Sequence, residues 1–207
     1  MNWAERIQEF VTLWVVIDPL GTLPVFLAVT TGFSAAERKK AAVLSVIISF
    51  GVLVFFALAG SWLLRAMDVS IDSFQIAGGI VLFLFALTMI QGKSHADPHA
   101  PAEMNPMEIA VYPLAIPSIA SPGAMLAAVV LSDNARHDFP DRMMTIATFS
   151  LVLLVTLAIM LAAGRLVNLI GRGGASIISR VMGMILAAMA VDLILSAAAK
   201  WLNLPPI

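Results

Sequence analysis

Six stretches of this chain run for about 20 residues each with almost no charge, enough to cross a hydrocarbon slab about 30 Å thick as helices. They lie at about Ile7–Val29, Ala41–Leu64, Ser73–Gly92, Ile109–Ser132, Met143–Gly164 and Ile177–Ala199. In lipid every backbone N–H and C=O needs a partner inside the protein, which leaves helices or closed barrels. Long apolar runs without alternation are helical. Composition agrees: 12% of the 207 residues are charged, against about 25% in soluble domains, and the mean hydropathy is +0.97. A net charge of -1 leaves no basic footprint for nucleic acid. The absence of cysteine removes disulfides, thiolate metal sites and dithiol redox chemistry. Glu5, Arg6 and Glu9 precede the first apolar run and no small-residue cleavage site follows it, so the first span is expected to be an uncleaved anchor.

Two of the six spans carry helix breaks. In the first, Asp18-Pro19-Leu20-Gly21-Thr22-Leu23-Pro24 interrupts an otherwise apolar stretch. Asp18 lies about 12 Å along a helix from Phe10, well inside the slab. An acid followed by proline starts a helix, the acid as N-cap and proline at the first helical position. The fourth span carries Pro113, Pro117 and then Ser121-Pro122-Gly123. Helix breaks are therefore expected at Pro19 and Pro24 and at Pro117 and Pro122. Breaks at membrane depth are tolerated only where the freed backbone groups are buried in protein or line a cavity.

The two halves echo each other at an offset of 103 to 105 residues: Asp18-Pro19 with Ser121-Pro122, Glu37-Arg38 with Asp141-Arg142, and Gln75…Gly78 with Arg180…Gly183. We read a first three-helix repeat over 1–92, a polar linker over 93–106, and a second repeat over 107–207. An odd number of spans inverts the second copy in the membrane. Inverted repeats with matching broken helices point to a transporter whose site lies between the breaks. Basic loop residues number seven on one face (Arg38, Lys39, Lys40, Lys93, Arg165, Arg172, Arg180) and five on the face of the termini (Arg6, Arg65, Arg136, Arg142, Lys200). The positive-inside rule then places both termini outside the cytoplasm.

The candidate site follows from the breaks. Gly21 and Gly123 leave backbone N–H groups open at the positive ends of two half-helices, an arrangement suited to a carboxylate. Thr22 and Ser121 add hydroxyls. Asp18 is more expensive than capping requires, because Ser121 caps the sister helix without charge; it is read as a proton or cation site. Asp192 lies too far from either end of its span to snorkel and is expected to point into the bundle as a second coupling acid. Gly78, Gly79 and Gly183 are expected to serve helix packing. His95 and His99 flank Pro98 in the polar linker and are read as solvated, so no metal site is expected. Gly171-Arg172-Gly173-Gly174 is read as a turn between spans, and the twelve methionines as packing.

At these same residues the chain resembles the MarC family of bacterial inner-membrane proteins, some of whose relatives are classed as neutral amino acid transporters. The resemblance covers nearly the whole chain. It rests on Asp18 to Pro24, Ser34-Ala35-Ala36-Glu37-Arg38, Ile76-Ala77-Gly78-Gly79, Pro113-Leu114-Ala115-Ile116-Pro117 with Ser121-Pro122-Gly123, and Ser179-Arg180-Val181-Met182-Gly183. It implies six spans in the bacterial inner membrane. The chain departs from the commoner pattern twice, with Asp18 where Asn often precedes the proline and Asp192 where the last span often carries an uncharged polar residue.

The expectation is thus an all-α membrane protein of six helices in two inverted repeats, with helices 1 and 4 broken at mid-membrane. Its function is read as secondary transport of a small solute, such as a neutral amino acid, coupled to H+ or Na+. No cofactor or enzymatic activity is expected. Two rivals are an intramembrane hydrolase using Asp18 and Asp192, which would turn over a lipid or peptide, and a structural membrane protein, which would tolerate polar substitutions at the breaks.

Overall fold

The computed structural model describes residues 3–91, 105–132 and 138–202, and within these the chain is helical and contains no strand. The linker expected at 93–106 falls outside them except for Asn105 and Pro106, as do His95 and His99. Five helical stretches are long and apolar enough to cross a membrane, and a bent pair makes a sixth.

α1 (Trp3–Ile17) and α2 (Pro19–Val29) form the first span, joined by Asp18 alone. Pro19 lacks an N–H and disfavours a right-handed helical residue before it. Asp18 takes the left-handed conformation instead (φ 48°, ψ 71°), which a short polar side chain tolerates. Pro24 differs from expectation. It sits inside α2 and does not end it, removing one N–H from the helix ladder while Thr30 closes the helix six residues on, its N–H bonding to Phe26 O.

The second span comprises α3 (Ala35–Phe55), a π-helical turn (Phe56–Gly60) and α4 (Ser61–Ala66). It begins with a capping box in which Ser34 Oγ accepts the Glu37 N–H and Glu37 accepts the Ser34 N–H at 2.8 Å. A π-turn displaces carbonyls from the helical ladder, and here Arg142 Nη2 donates to two of them, Ala57 O and Leu58 O, each at 3.3 Å. α5 (Ile71–Gln91) is the third span.

The fourth span starts at α6 (Pro106–Ile109) with a second capping box, Asn105 with Glu108. It continues through Ala110–Ile119, where Tyr112 and Ile116 are extended because each precedes a proline. A 60° bend then leads into α7 (Pro122–Leu131), capped by Ser121.

α8 is helical from Phe139 to Trp201, including the expected turn at Gly171-Arg172-Gly173-Gly174. Each glycine costs a helix only about 1 kcal/mol, so a glycine cluster without proline does not by itself end one. A straight helix of 63 residues would nevertheless be about 95 Å long, three times the slab. Arg6 pairs with Asp141, yet Asp18, about 18 Å further along the first span, borders the same cavity as Asp192. The two apolar spans of α8, Phe139–Ala163 and Gly183–Trp201, therefore do not lie on one straight axis.

Polar contacts mark one face of the bundle. Arg6 pairs with Asp141, Arg142 reaches Ala57 and Leu58, and Lys200 pairs with Asp72 at 3.4 Å. These join the start of the first span, the end of the second, the start of the third, the start of the fifth and the end of the last. In a six-pass chain that is the face shared by the termini. Exposed Trp3, Trp62 and Trp201 lie at the same end, as interfacial tryptophans do. Between the faces, large apolar side chains such as Ile47, Leu84 and Leu154 are exposed and form the lipid contact. The interior is filled by Leu13, Ile17, Phe26, Leu53, Leu114, Phe149 and Met160.

α5 and the last span run antiparallel. Gly79 faces Ile194, Gly183 faces Ala86 and Ile90, and Gln75 Nε2 donates to Leu193 O at 2.9 Å. Gly78 lies directly against the Pro122 ring. The three glycines expected to serve packing are thus points of close helix approach.

A candidate solute cavity between two helix starts

The starts of α2 and α7 lie beside one another. Ser121 Oγ donates to Val16 O at 2.9 Å, tying the cap of the second helix to the last turn before the first break. The same Oγ accepts from Ala124 N–H at 3.1 Å, and Ser121 O accepts from Met125 N–H. Ser121 is an ordinary extended N-cap (φ -66°, ψ 158°).

A cavity of about 570 Å³ opens between these starts, α5 and the last span. Asp18, Gly21 and Thr22 border it from the first span, Ser118, Ser121 and Gly123 from the fourth, and Asp192 from the last. Every residue singled out in the sequence as substrate-binding or ion-coupling is therefore on one cavity wall. Leu82, Leu186, Met189 and Leu193 supply most of the remaining wall. Sequence reasoning did not single these out, because apolar residues within apolar spans carry no contrast. Both acids are on the wall, and no lining residue is basic.

Both caps fill the third N–H of their helix, Asp18 with a carboxylate at Gly21 and Ser121 with a hydroxyl at Ala124. Asp18 Oδ1 accepts the Gly21 N–H at 2.8 Å, so the carboxylate of the chain itself occupies the first anion-binding position. A Cβ added at Gly21 would lie 1.9 Å from Asp18 Oδ2. Gly21 therefore makes room for the cap, and the expectation that it holds an open approach to solute is corrected. Gly123 is the open one. A Cβ there would meet only Ser121 Oγ at 3.7 Å and the Leu193 methyls at 3.8 and 3.9 Å, which are ordinary contacts. Thr22 is 2% exposed, and its Oγ1 has no hydrogen-bond partner among the described residues. A buried hydroxyl without a partner costs about 1–3 kcal/mol, which a ligand at the wall would relieve.

Asp192 does not point into a closed bundle interior. It is exposed at the cavity rim, on a face shared with Met184, Ile185, Ala188 and Leu195. A charge at the centre of a span costs about 2.5–3.5 kcal/mol on insertion scales, so the position requires a compensating ligand or water.

In the sequence Glu9 belongs to a mixed N-terminal charge group with Glu5 and Arg6. The structure buries it, with Arg6 Nη1 donating to Oε2 at 3.0 Å and Oε1 without a partner among the described residues. Its spacing to Leu13 and Ile17, four and eight residues on, puts all three on the buried face of α1. That spacing was the available signal. Among the described residues no group of His, Cys, Asp or Glu could hold a metal ion.

A bundle of apolar helices with tryptophans exposed at one end and large apolar side chains exposed along its length is a multi-pass integral membrane protein. The family described as "MarC family integral membrane protein" matches residues 3–202, and the chain belongs to that family. It is 37% identical over 201 residues to a UPF0056 membrane protein of Methanocaldococcus jannaschii, covering 95% of this chain and 97% of the relative. It is 33% identical to the UPF0056 membrane protein YvbG of Bacillus subtilis, with 94% of each chain covered. It is 29% identical to the UPF0056 inner membrane protein MarC of Citrobacter koseri, with 90% of each covered. No solved structure matches the chain.

Proposed function

We propose that the protein is a secondary transporter of the bacterial inner membrane for a small solute bearing an amino group, with a neutral amino acid as the simplest case. The observation that carries this reading is the single cavity onto which both helix starts and both spare acids converge. In an inverted-repeat arrangement such a cavity lies near the midplane, and the closeness of Val16 and Ser121 supports that placement. The solute ammonium is held by Asp18 and Asp192, and its carboxylate is held at the Gly123 end of α7 and by Thr22 Oγ1. Coupling is assigned to Asp18. While its carboxylate caps α2, the Gly21 N–H is unavailable to solute; a proton or cation arriving at Asp18 weakens the cap and frees that donor.

The hydrolase alternative would use Asp18 and Asp192, and experiment separates it from transport. The two acids border an apolar cavity, and the cavity lining contains no histidine beside Ser118 or Ser121. Purified protein in proteoliposomes tests the proposal. Radiolabelled alanine should accumulate when an H+ or Na+ gradient is imposed. Equal uptake with and without protein would remove transport from consideration, and steady release of a cleaved product would favour the hydrolase.

Asp18→Asn isolates the charge. Asn caps helices as well as Asp and tolerates the left-handed conformation, so the bond to Gly21 N–H survives. Solute binding should persist within about threefold, while gradient-driven accumulation should fall toward equilibration. Wild-type accumulation would reduce Asp18 to a cap.

Topology gives a separate test. The chain has no native cysteine, so single cysteines at Glu5, Asp68 and Lys200 report cleanly. All three should react with an impermeant thiol reagent from outside intact cells, and a cysteine at Lys39 should react only after lysis. The reverse pattern would invert the orientation read from the loop charges. A split among the first three positions would break the six-span arrangement.

A further inference from the structure

The cavity wall has a side opening, and the faces around it indicate what enters. On α1, the outward stripe Ile7, Val11, Val15 is exposed, and Val15 also borders the cavity. On the last span, Met184, Ile185, Ala188 and Asp192 are exposed, and Ala188 and Asp192 border the cavity as well. Residues that belong both to the cavity wall and to an outward helix face define its mouth. The mouth therefore lies between α1 and the last span, facing the hydrocarbon and not the water at either end of the bundle.

Three further observations bear on the occupant. The volume of about 570 Å³ falls in the range of pockets for drug-sized ligands, about 300–1,000 Å³, and far exceeds what glycine or alanine fills. The wall is mostly apolar, with two carboxylates and no basic side chain. Thr22 Oγ1, buried on the same wall, has no partner among the described residues and offers a neutral hydrogen-bonding position there.

The geometry points to amphipathic primary amines, drawn laterally from the bilayer, as the solute class of this cavity. The apolar tail crosses the lip formed by Val15 and Ala188, and Asp192 at the rim receives the ammonium. Asp18 and Thr22 hold the polar end once it is inside. This deepens the reading of the cavity as a transport site and rests on it. A hydrophobic neutral amino acid would be a weak member of the class, since its carboxylate disfavours passage through lipid.

The test uses the full chain in phosphatidylcholine nanodiscs with radiolabelled n-octylamine, and n-octanol, octanoate and alanine as competitors. Empty nanodiscs correct for partitioning. One saturable octylamine site is expected, with octanol and octanoate competing at least tenfold more weakly than unlabelled octylamine. Asp192→Asn should weaken octylamine at least tenfold while the protein remains monodisperse. Val15→Trp, at the lip, should slow association severalfold with a smaller change in equilibrium affinity. Absence of a saturable site, or equal competition by octanol, would overturn the inference. So would ready disulfide cross-linking of two copies through Ala188→Cys, because a second copy would then cover the mouth. Octylamine binding without gradient-driven uptake of any solute would sink the transporter reading instead. Alanine accumulation without octylamine binding would sink only the inference drawn here.

Discussion

Gly78→Val is expected to prevent the bundle from closing. A Cβ at this position would sit 2.1 Å from Pro122 Cβ and 2.9 Å from Cγ. The obstacle is a proline ring at the first position of α7, which cannot rotate away. α5 must then retreat from α7, and Leu82, which α5 contributes to the cavity wall, moves with it. Overpacking of this kind costs about 1–3 kcal/mol, and more where no side chain can yield. We expect loss of monodisperse protein, or a fall in melting temperature of more than about 5 °C with solute binding abolished. Gly51→Ala is the matched control. Nothing lies within 4 Å of a Cβ added there, and alanine favours a helix over glycine by about 1 kcal/mol, so stability should be unchanged or higher. A Gly78→Val protein that melts like wild type would mean that α5 and α7 do not meet as described.

Gly123→Val and Gly21→Val should separate function from folding. At Gly123 the added Cβ makes ordinary contacts, and the valine methyls extend beside Ser121 Oγ and Leu193 into the cavity. Insertion, monodispersity and melting temperature should hold, while solute affinity falls by about a hundredfold or more. At Gly21 the first atom of the side chain already overlaps the Asp18 carboxylate. The cap on α2 must be released, at a cost of about 1 kcal/mol for the cap alone, with the displaced carboxylate then left in the cavity. Gly21→Val should therefore lose both stability and binding. Its stability should recover in part when Asp18 is also replaced by Gly, because the collision is removed; a direct collision predicts non-additivity. Independent, additive effects would show that Asp18 does not lie over Gly21. Wild-type affinity in Gly123→Val would exclude the start of α7 from the site.

The course of these helices was legible because a membrane leaves little choice. A run such as Ala41–Leu64 has no charge, must satisfy its backbone internally and can do so only as a helix. The helix starts were legible for a local reason: Ser34 with Glu37, Asp18 with Pro19, and Ser121 with Pro122 each satisfy the first N–H groups from within a few residues. The packing role of Gly78, Gly79 and Gly183 could be anticipated from the need for small residues where helices touch in lipid.

Other features depend on which helices become neighbours. Pro24 looks like a second breaker in the sequence, yet it lies within α2, because one missing N–H in a packed helix costs less than ending it. Gly123 has room for a side chain because only Ser121 and, from the last span, Leu193 lie near it, whereas Gly21 is covered by the Asp18 carboxylate. Asp192 gives no sign in the sequence of being at a rim, since exposure depends on what the adjoining helices cover. Glu9 is buried because Arg6, itself paired with Asp141 far along the chain, meets it there.

The order of residues alone determined that this chain is a bundle of apolar helices, where its helices begin, and which few polar residues lie within the spans. Those properties follow from interactions over one or two helical turns and from the solvent a membrane imposes. Only the tertiary structure decided that the polar residues share one cavity and that the cavity opens sideways. Each of these depends on contacts between helices that are distant in sequence, and apolar spans of similar composition do not encode in any short stretch which partner each will meet.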